Sequence, residues 1–200
     1  MRILTAFQQT ACAALLLLIC SPATAQSNSD TPAAKVQESG KDRDGSHDFD
    51  FLIGTWKMHH RRLRNPLTGS QTWAEFDGTL VNKPLWDGRA NEDEVVFNDP
   101  SGRIDGMAVR TYNAQTHQWS IYWASNTTGG LALPATVGQF DAKNGRGEFY
   151  DQESRNGRLI LVRFLWFDIK PDFCRWEQAF SDDGGKTWET NWSQTLERER

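Results

Sequence analysis

Apolar and polar residues alternate with a period of two in short runs between Thr55 and Leu196, and turn-forming residues separate the runs. No long stretch carries the 3.6-residue spacing of an amphipathic helix. The alternation predicts ten strands, at 55–64, 72–81, 91–97, 104–112, 118–124, 131–140, 147–151, 158–168, 173–180 and 187–196. Asn144-Gly145, Asn156-Gly157 and Asp183-Gly184-Gly185 supply residues that tolerate positive φ, so sequential strands should be antiparallel neighbours joined by tight turns. Ten meandering strands in an open sheet would leave two long unpaired edges. The expected fold is therefore all-β, a single antiparallel meander closed into a barrel.

The same alternation orients side chains. In 158–168 one face carries Ile160, Val162, Phe164 and Trp166, whereas the other holds the charge of Arg163, so the first face should point inward. In the first strand Trp56 and Met58 share a face that continues to His60 and Arg62. Lys57, His59 and Arg61 should face solvent.

Ahead of the strands the pattern changes. Arg2, an apolar run from Ala11 to Cys20 and the small-x-small triplet Ala23-Thr24-Ala25 read as a signal peptide over 1–25, cleaved after Ala25. The run is about half the roughly 20 residues of a transmembrane helix. Residues 26–46 hold almost no large apolar side chain and read as a disordered linker, leaving 47–200 as one barrel domain in the periplasm or secreted. Removing the leader takes 22 basic side chains to 21 against 26 acidic, and the net charge from −4 to −5. No block of Lys or Arg could displace counterions from phosphates, so nucleic acid is not an expected partner. Of three cysteines only Cys174 remains, a small buried hydrophobe on a strand rather than a reactive thiol.

Asp50-Phe51-Leu52-Ile53-Gly54-Thr55-Trp56 resembles the opening of a calycin barrel, the superfamily of lipocalins and fatty-acid-binding proteins, in which a helical turn leads into a Gly-x-Trp motif on the first strand. With the hairpin from Arg110 to Trp123 and the run Arg175-Trp176-Glu177-Gln178-Ala179-Phe180-Ser181, the chain resembles, over about His47 to Leu196, an uncharacterised bacterial family of lipocalin-like domains. The resemblance implies a barrel and no defined reaction. Nitrobindin-like haem barrels share the opening but follow it with a glycine-rich stretch. Here Lys57-Met58-His59-His60-Arg61-Arg62 follows, and no His lies beyond His117, so no cofactor is expected.

The remaining motifs read mainly as structure. Ser181-Asp182-Asp183-Gly184-Gly185-Lys186-Thr187-Trp188 matches the Asp-box of sialidase propellers but occurs once, so it reads as a hairpin in which Asp183 bonds turn N–H groups and Trp188 packs over the turn. His59 and His60 point to opposite faces and cannot share an ion, and His47 and His117 complete no zinc spacing. Asn91-Glu92-Asp93-Glu94 reads as a strand edge bearing solvated charge, with calcium or acid–base chemistry as the sharper alternative. Asn126-Thr127-Thr128 is a glycosylation acceptor only in a glycosylating host.

Candidate chemistry centres on the inward face. Trp123 and Trp166 share faces with aliphatic residues and are the expected pocket wall, with His60 and Arg62 as polar handle. An inward Arg62 needs a counter-charge, either the anionic end of an apolar or amphipathic ligand or an ion pair with Glu75, Asp77, Glu92, Glu94 or Glu177. A small-molecule-binding barrel is the leading expectation. The alternatives are an enzyme with His60 as general base and Arg62 stabilising an anionic intermediate, and a structural barrel filled by its own tryptophans. No nucleophile elbow or phosphate loop is present.

Overall fold

The computed structural model describes residues 44–200. The expected signal peptide and most of the expected linker lie outside the described residues. Ten strands follow in order: β1 (Gly54–Leu63), β2 (Trp73–Leu85), β3 (Ala90–Asp99), β4 (Gly102–Asn113), β5 (Gln118–Ser125), β6 (Thr136–Asp141), β7 (Arg146–Arg155), β8 (Arg158–Lys170), β9 (Phe173–Ser181) and β10 (Glu189–Arg198). Each pairs antiparallel with its sequence neighbours, and β1 closes the ring against β10 through the register Trp56↔Arg198 to Arg62↔Trp192. The meander barrel follows from turn chemistry and alternation together, since tight hairpins fix the neighbours and closure removes both edges.

One expected strand is shorter than the pattern suggested. Residues 131–135 are a loop and β6 begins at Thr136, because Pro134 offers no N–H to a ladder. Only Trp119, Ser120 and Ile121 of β5 therefore pair with β6, and Ala132 N–H donates to the Trp123 carbonyl across the remaining gap. Where β6 meets β7 the backbones approach closely. A Cβ on Gly138 would sit 1.9 Å from the Glu148 carbonyl oxygen, so no other residue fits there.

The base of the barrel is sealed. A 3-10 turn, Asp50–Leu52, crosses it with Phe49 and Leu52 fully buried. The Phe49 ring meets Trp119 and Phe140 edge-on at 5.1 and 4.9 Å. Trp56 donates its indole N–H to the Leu52 carbonyl at 2.7 Å, and the Arg198 guanidinium lies 4.2 Å over its ring. Arg198 also donates to the carbonyls of Phe51 and Ile53, so the last strand caps the turn that precedes the first. Gly54 takes φ +121, and an added Cβ would lie 2.6 Å from that guanidinium. The packing begins before the expected boundary at His47. The Gly45 carbonyl accepts from the indole of the buried Trp119, which gives that ring's polar tip its partner, and Ser46, next to Gly45 in sequence, is buried.

The β8 face containing Ile160, Val162 and Trp166 is buried, and Arg163 stacks outside on Trp188 at 4.6 Å. Lys57, His59 and Arg61 lie on the outer surface. The Asp-box segment is the β9–β10 hairpin. Asp183 accepts from the Lys186 and Thr187 backbones, the Thr187 hydroxyl and the Ser181 hydroxyl, and these bonds hold its carboxyl well below the usual range.

Candidate functional site

Above the sealed base the barrel interior holds a cavity of about 180 Å³. Its wall is aromatic: Phe97 from β3, Trp123 from β5, Phe164 and Trp166 from β8, Trp176 from β9 and Trp192 from β10. Met58, Leu80, Val95, Ala108 and Ile121 add aliphatic side chains to the lining.

A buried polar network lies among these side chains. Arg110 donates to Asp93 at 2.6 Å and to Asn91 at 3.0 Å, and Asn82 donates to Asp93 and Asn91 at 2.5 and 3.0 Å. Arg110 and Asp93 are 4% and 1% exposed, which makes the pair the one fully desolvated charge pair among the described residues with a salt bridge. Cross-strand register assembles it: Asn82 faces Asp93 across β2–β3, and Asn91 faces Arg110 across β3–β4. The Arg110 guanidinium also lies 5.0 Å over Phe49 and 5.8 Å from the Trp166 ring, which places the network next to the base. Each partner neutralises the other, and Asn91 and Asn82 meet part of the remaining hydrogen-bonding capacity, while Arg110 Nε has no partner.

Asn91-Glu92-Asp93-Glu94 is thus not a solvated edge. β3 is paired on both sides, Asn91 and Asp93 point inward, and Glu94 points out. Alternation through Asn91, Asp93, Val95 and Phe97 held that signal, as did Ala108 and Arg110 on β4, because a charge in the inward phase needs a buried partner.

Towards the other end Asp151 and Glu153, on the inward phase of β7, line the cavity. Partial burial raises the Asp151 carboxyl, and burial with the neighbouring Asp151 charge raises that of Glu153. Among the described residues Arg110 is the only cationic one lining the cavity, and it is paired.

Of the residues singled out in the sequence, Trp123 and Trp166 line the cavity, whereas His60 is enclosed behind its wall and Arg62, expected inward, is exposed near the end of β1 with its side chain 46% accessible. His60 is fully buried, stacked on Phe76 at 4.8 Å and beside Phe97 at 4.9 Å. Trp192 donates its indole N–H to His60 Nδ1 at 3.2 Å, which puts the neutral ring's proton on Nε2. Desolvation pulls the ring's pKa from 6.5 to about 4, with the His59 charge adding to it, so His60 is neutral at pH 7. Arg62 lies 4.5 Å over the opposite partner of the wall, the Trp192 ring, and donates to Asp99 at 3.3 Å. The carboxylate it meets comes from the end of β3, outside the five named from sequence. Both residues touch the cavity through Trp192 rather than directly.

Cys174 is fully buried, and burial pushes its thiol up to about 12. Among the described residues no group of three His, Cys, Asp or Glu side chains is gathered as a metal ion would need, and no helix is long and apolar enough to cross a membrane.

Fold and site together define a ten-stranded, closed antiparallel barrel with a small aromatic cavity and a buried ion pair. No family model and no curated protein matches the sequence. Among solved structures the chain is similar to a redesigned beta barrel, at 13% identity and TM-score 0.42 over 77% of this chain and 96% of that one. It is also similar to Rv2717c from M. tuberculosis, at 11% identity and TM-score 0.48 over 76% of this chain and 98% of that one.

Proposed function

We propose that this protein is an exported, calycin-type barrel that binds a small, mostly apolar molecule in its interior. The carrying observation is the cavity of about 180 Å³ walled by six aromatic rings. Apolar voids of about 150 Å³ accept a benzene ring, whereas drug-sized ligands occupy roughly 300 Å³ or more, so the guest is of one-ring size. The Gly54-Thr55-Trp56 opening supports the calycin kinship and Ala23-Thr24-Ala25 supports export. With His60 enclosed, a reaction chamber with that residue as base has less support than a binding cavity.

Four of the nine indoles, Trp123, Trp166, Trp176 and Trp192, line the cavity, so intrinsic fluorescence reads its occupation. Titration with apolar probes graded from benzene to naphthalene is expected to give a saturable change for the smallest members. Ala108→Leu, which places a larger side chain in the void, should abolish it. Saturation untouched by Ala108→Leu would place the guest elsewhere, and no saturable change with any probe would favour a barrel filled by its own side chains.

A further inference from the structure

We infer that the guest is an uncharged one-ring molecule carrying a hydrogen-bond-accepting oxygen, a ketone, aldehyde, ester or amide, seated with that oxygen towards Arg110 and Trp166. The inference rests on the proposed binding role of the cavity and adds the chemical class of the ligand.

Charge narrows the class first. The lining carries Arg110 against Asp93, Asp151 and Glu153, and the cation is already neutralised by a 2.6 Å bond to Asp93. A carboxylate entering beside that pair would be a second buried anion for one cation, without the counter-charge that a desolvated ion requires. An anionic end, one of the alternatives for Arg62, also finds no free cation there, since Arg62 stands behind Trp192 and is paired with Asp99.

The unpaired groups then set the polarity. Two polar atoms of cavity-lining residues are buried without a hydrogen-bond partner, Arg110 Nε and Trp166 Nε1, and both are donors. Their side chains are 4% and 3% exposed and are neighbours, with the guanidinium carbon 5.8 Å from the indole ring. Beside Arg110 and Trp166 an ammonium group would bring further donors to donors, its carboxylate partners Asp151 and Glu153 lying at the other end of the cavity, and a pure hydrocarbon would leave both donors unmet. A neutral oxygen supplies two lone pairs at no charge cost. Neither N–H is open to water, so seating the oxygen takes a side-chain shift, offset by the hydrogen bonds the two donors then make.

The test compares four probes built on one ring: ethylbenzene, acetophenone, benzoate and benzylammonium. Affinities come from tryptophan fluorescence, and a ¹⁵N–¹H spectrum follows the nine indole N–H resonances, with Trp166 assigned by its absence in Trp166→Phe. Acetophenone should bind roughly tenfold tighter than ethylbenzene, equivalent to about 1.4 kcal/mol. The Trp166 indole proton should move downfield with acetophenone and not with ethylbenzene. Trp166→Phe, which keeps a ring and removes the donor, should bring acetophenone to within about twofold of ethylbenzene. Tighter binding of benzoate or benzylammonium, or equal binding of acetophenone and ethylbenzene with an unmoved Trp166 resonance, would overturn the ligand class while leaving the cavity as a site. Failure of all four, ethylbenzene included, would overturn both.

Discussion

His60 offers a prediction whose size follows from its surroundings. The ring is fully buried between Phe76 and Phe97, and its Nδ1 already accepts from Trp192, so adding a proton would bury a charge and turn an acceptor against a donor. Its pKa is about 4 in the folded protein against 6.5 when solvated. In the window between those values the unfolded chain binds the proton and the folded protein does not. Stability is therefore complete above pH 6.5 and falls as the pH drops towards 4. At 1.36 kcal/mol per pH unit the full displacement is worth about 3 kcal/mol, of which about 2 kcal/mol is already lost at pH 5. Urea unfolding of the protein and of His60→Leu, each at pH 7.5 and pH 5, isolates the term, because the other ionisable groups are common to both. His60→Leu leaves the Trp192 donor unpaired at either pH. The stability gap between the two proteins should shift by about 2 kcal/mol in favour of the variant on going to pH 5. A gap that moves by less than about 0.5 kcal/mol would mean that the ring is solvated or charged in the fold, and the reasoning would fail.

Two further perturbations probe the interior. Asp93→Asn should cost about 3–5 kcal/mol in chemical denaturation by leaving the Arg110 guanidinium buried without its counter-charge, whereas replacing both with Asp93→Leu and Arg110→Met should cost less than the single change; a double variant as unstable as the sum of its parts would refute the pairing. Gly138→Ala forces a Cβ to 1.9 Å from the Glu148 carbonyl and should destabilise by about 3 kcal/mol or prevent closure at β6–β7, while Gly130→Ala, with no atom within 4 Å, should change stability by less than about 0.5 kcal/mol; equal melting temperatures for the two would sink the close-approach argument.

The chain's own pattern determined the architecture. Period-two alternation fixes which residues of a strand share a face, and Asn-Gly and Asp-Gly pairs fix antiparallel neighbours, so strand number, meander order and the inward set of β8 were all legible. The Asp-box hairpin was legible for the same local reason: the groups that bond to Asp183 lie within four residues of it. The phase that put His60 inward was also readable from Trp56 and Met58.

What stands opposite an inward residue is decided by tertiary structure, because strand phase gives a direction and not a partner. Asn82, Asp93 and Arg110 come from three strands, and only the register of β2, β3 and β4 brings them together, Asn82 opposite Asp93 and Arg110 on the diagonal, opposite Asn91. The partner of Arg62 is Asp99 rather than a carboxylate on the strand beside it, since the ends of β1 and β3 converge in the closed ring. His60 shares the inward phase with Met58, yet Trp192 from the closing strand β10 stands between it and the void, and at Arg62 the alternation of β1 breaks, leaving that side chain exposed over the Trp192 ring. Cavity volume belongs to the same category. It is the difference between the space that ten strands enclose and the side chains that fill it, and every tertiary contact enters that difference.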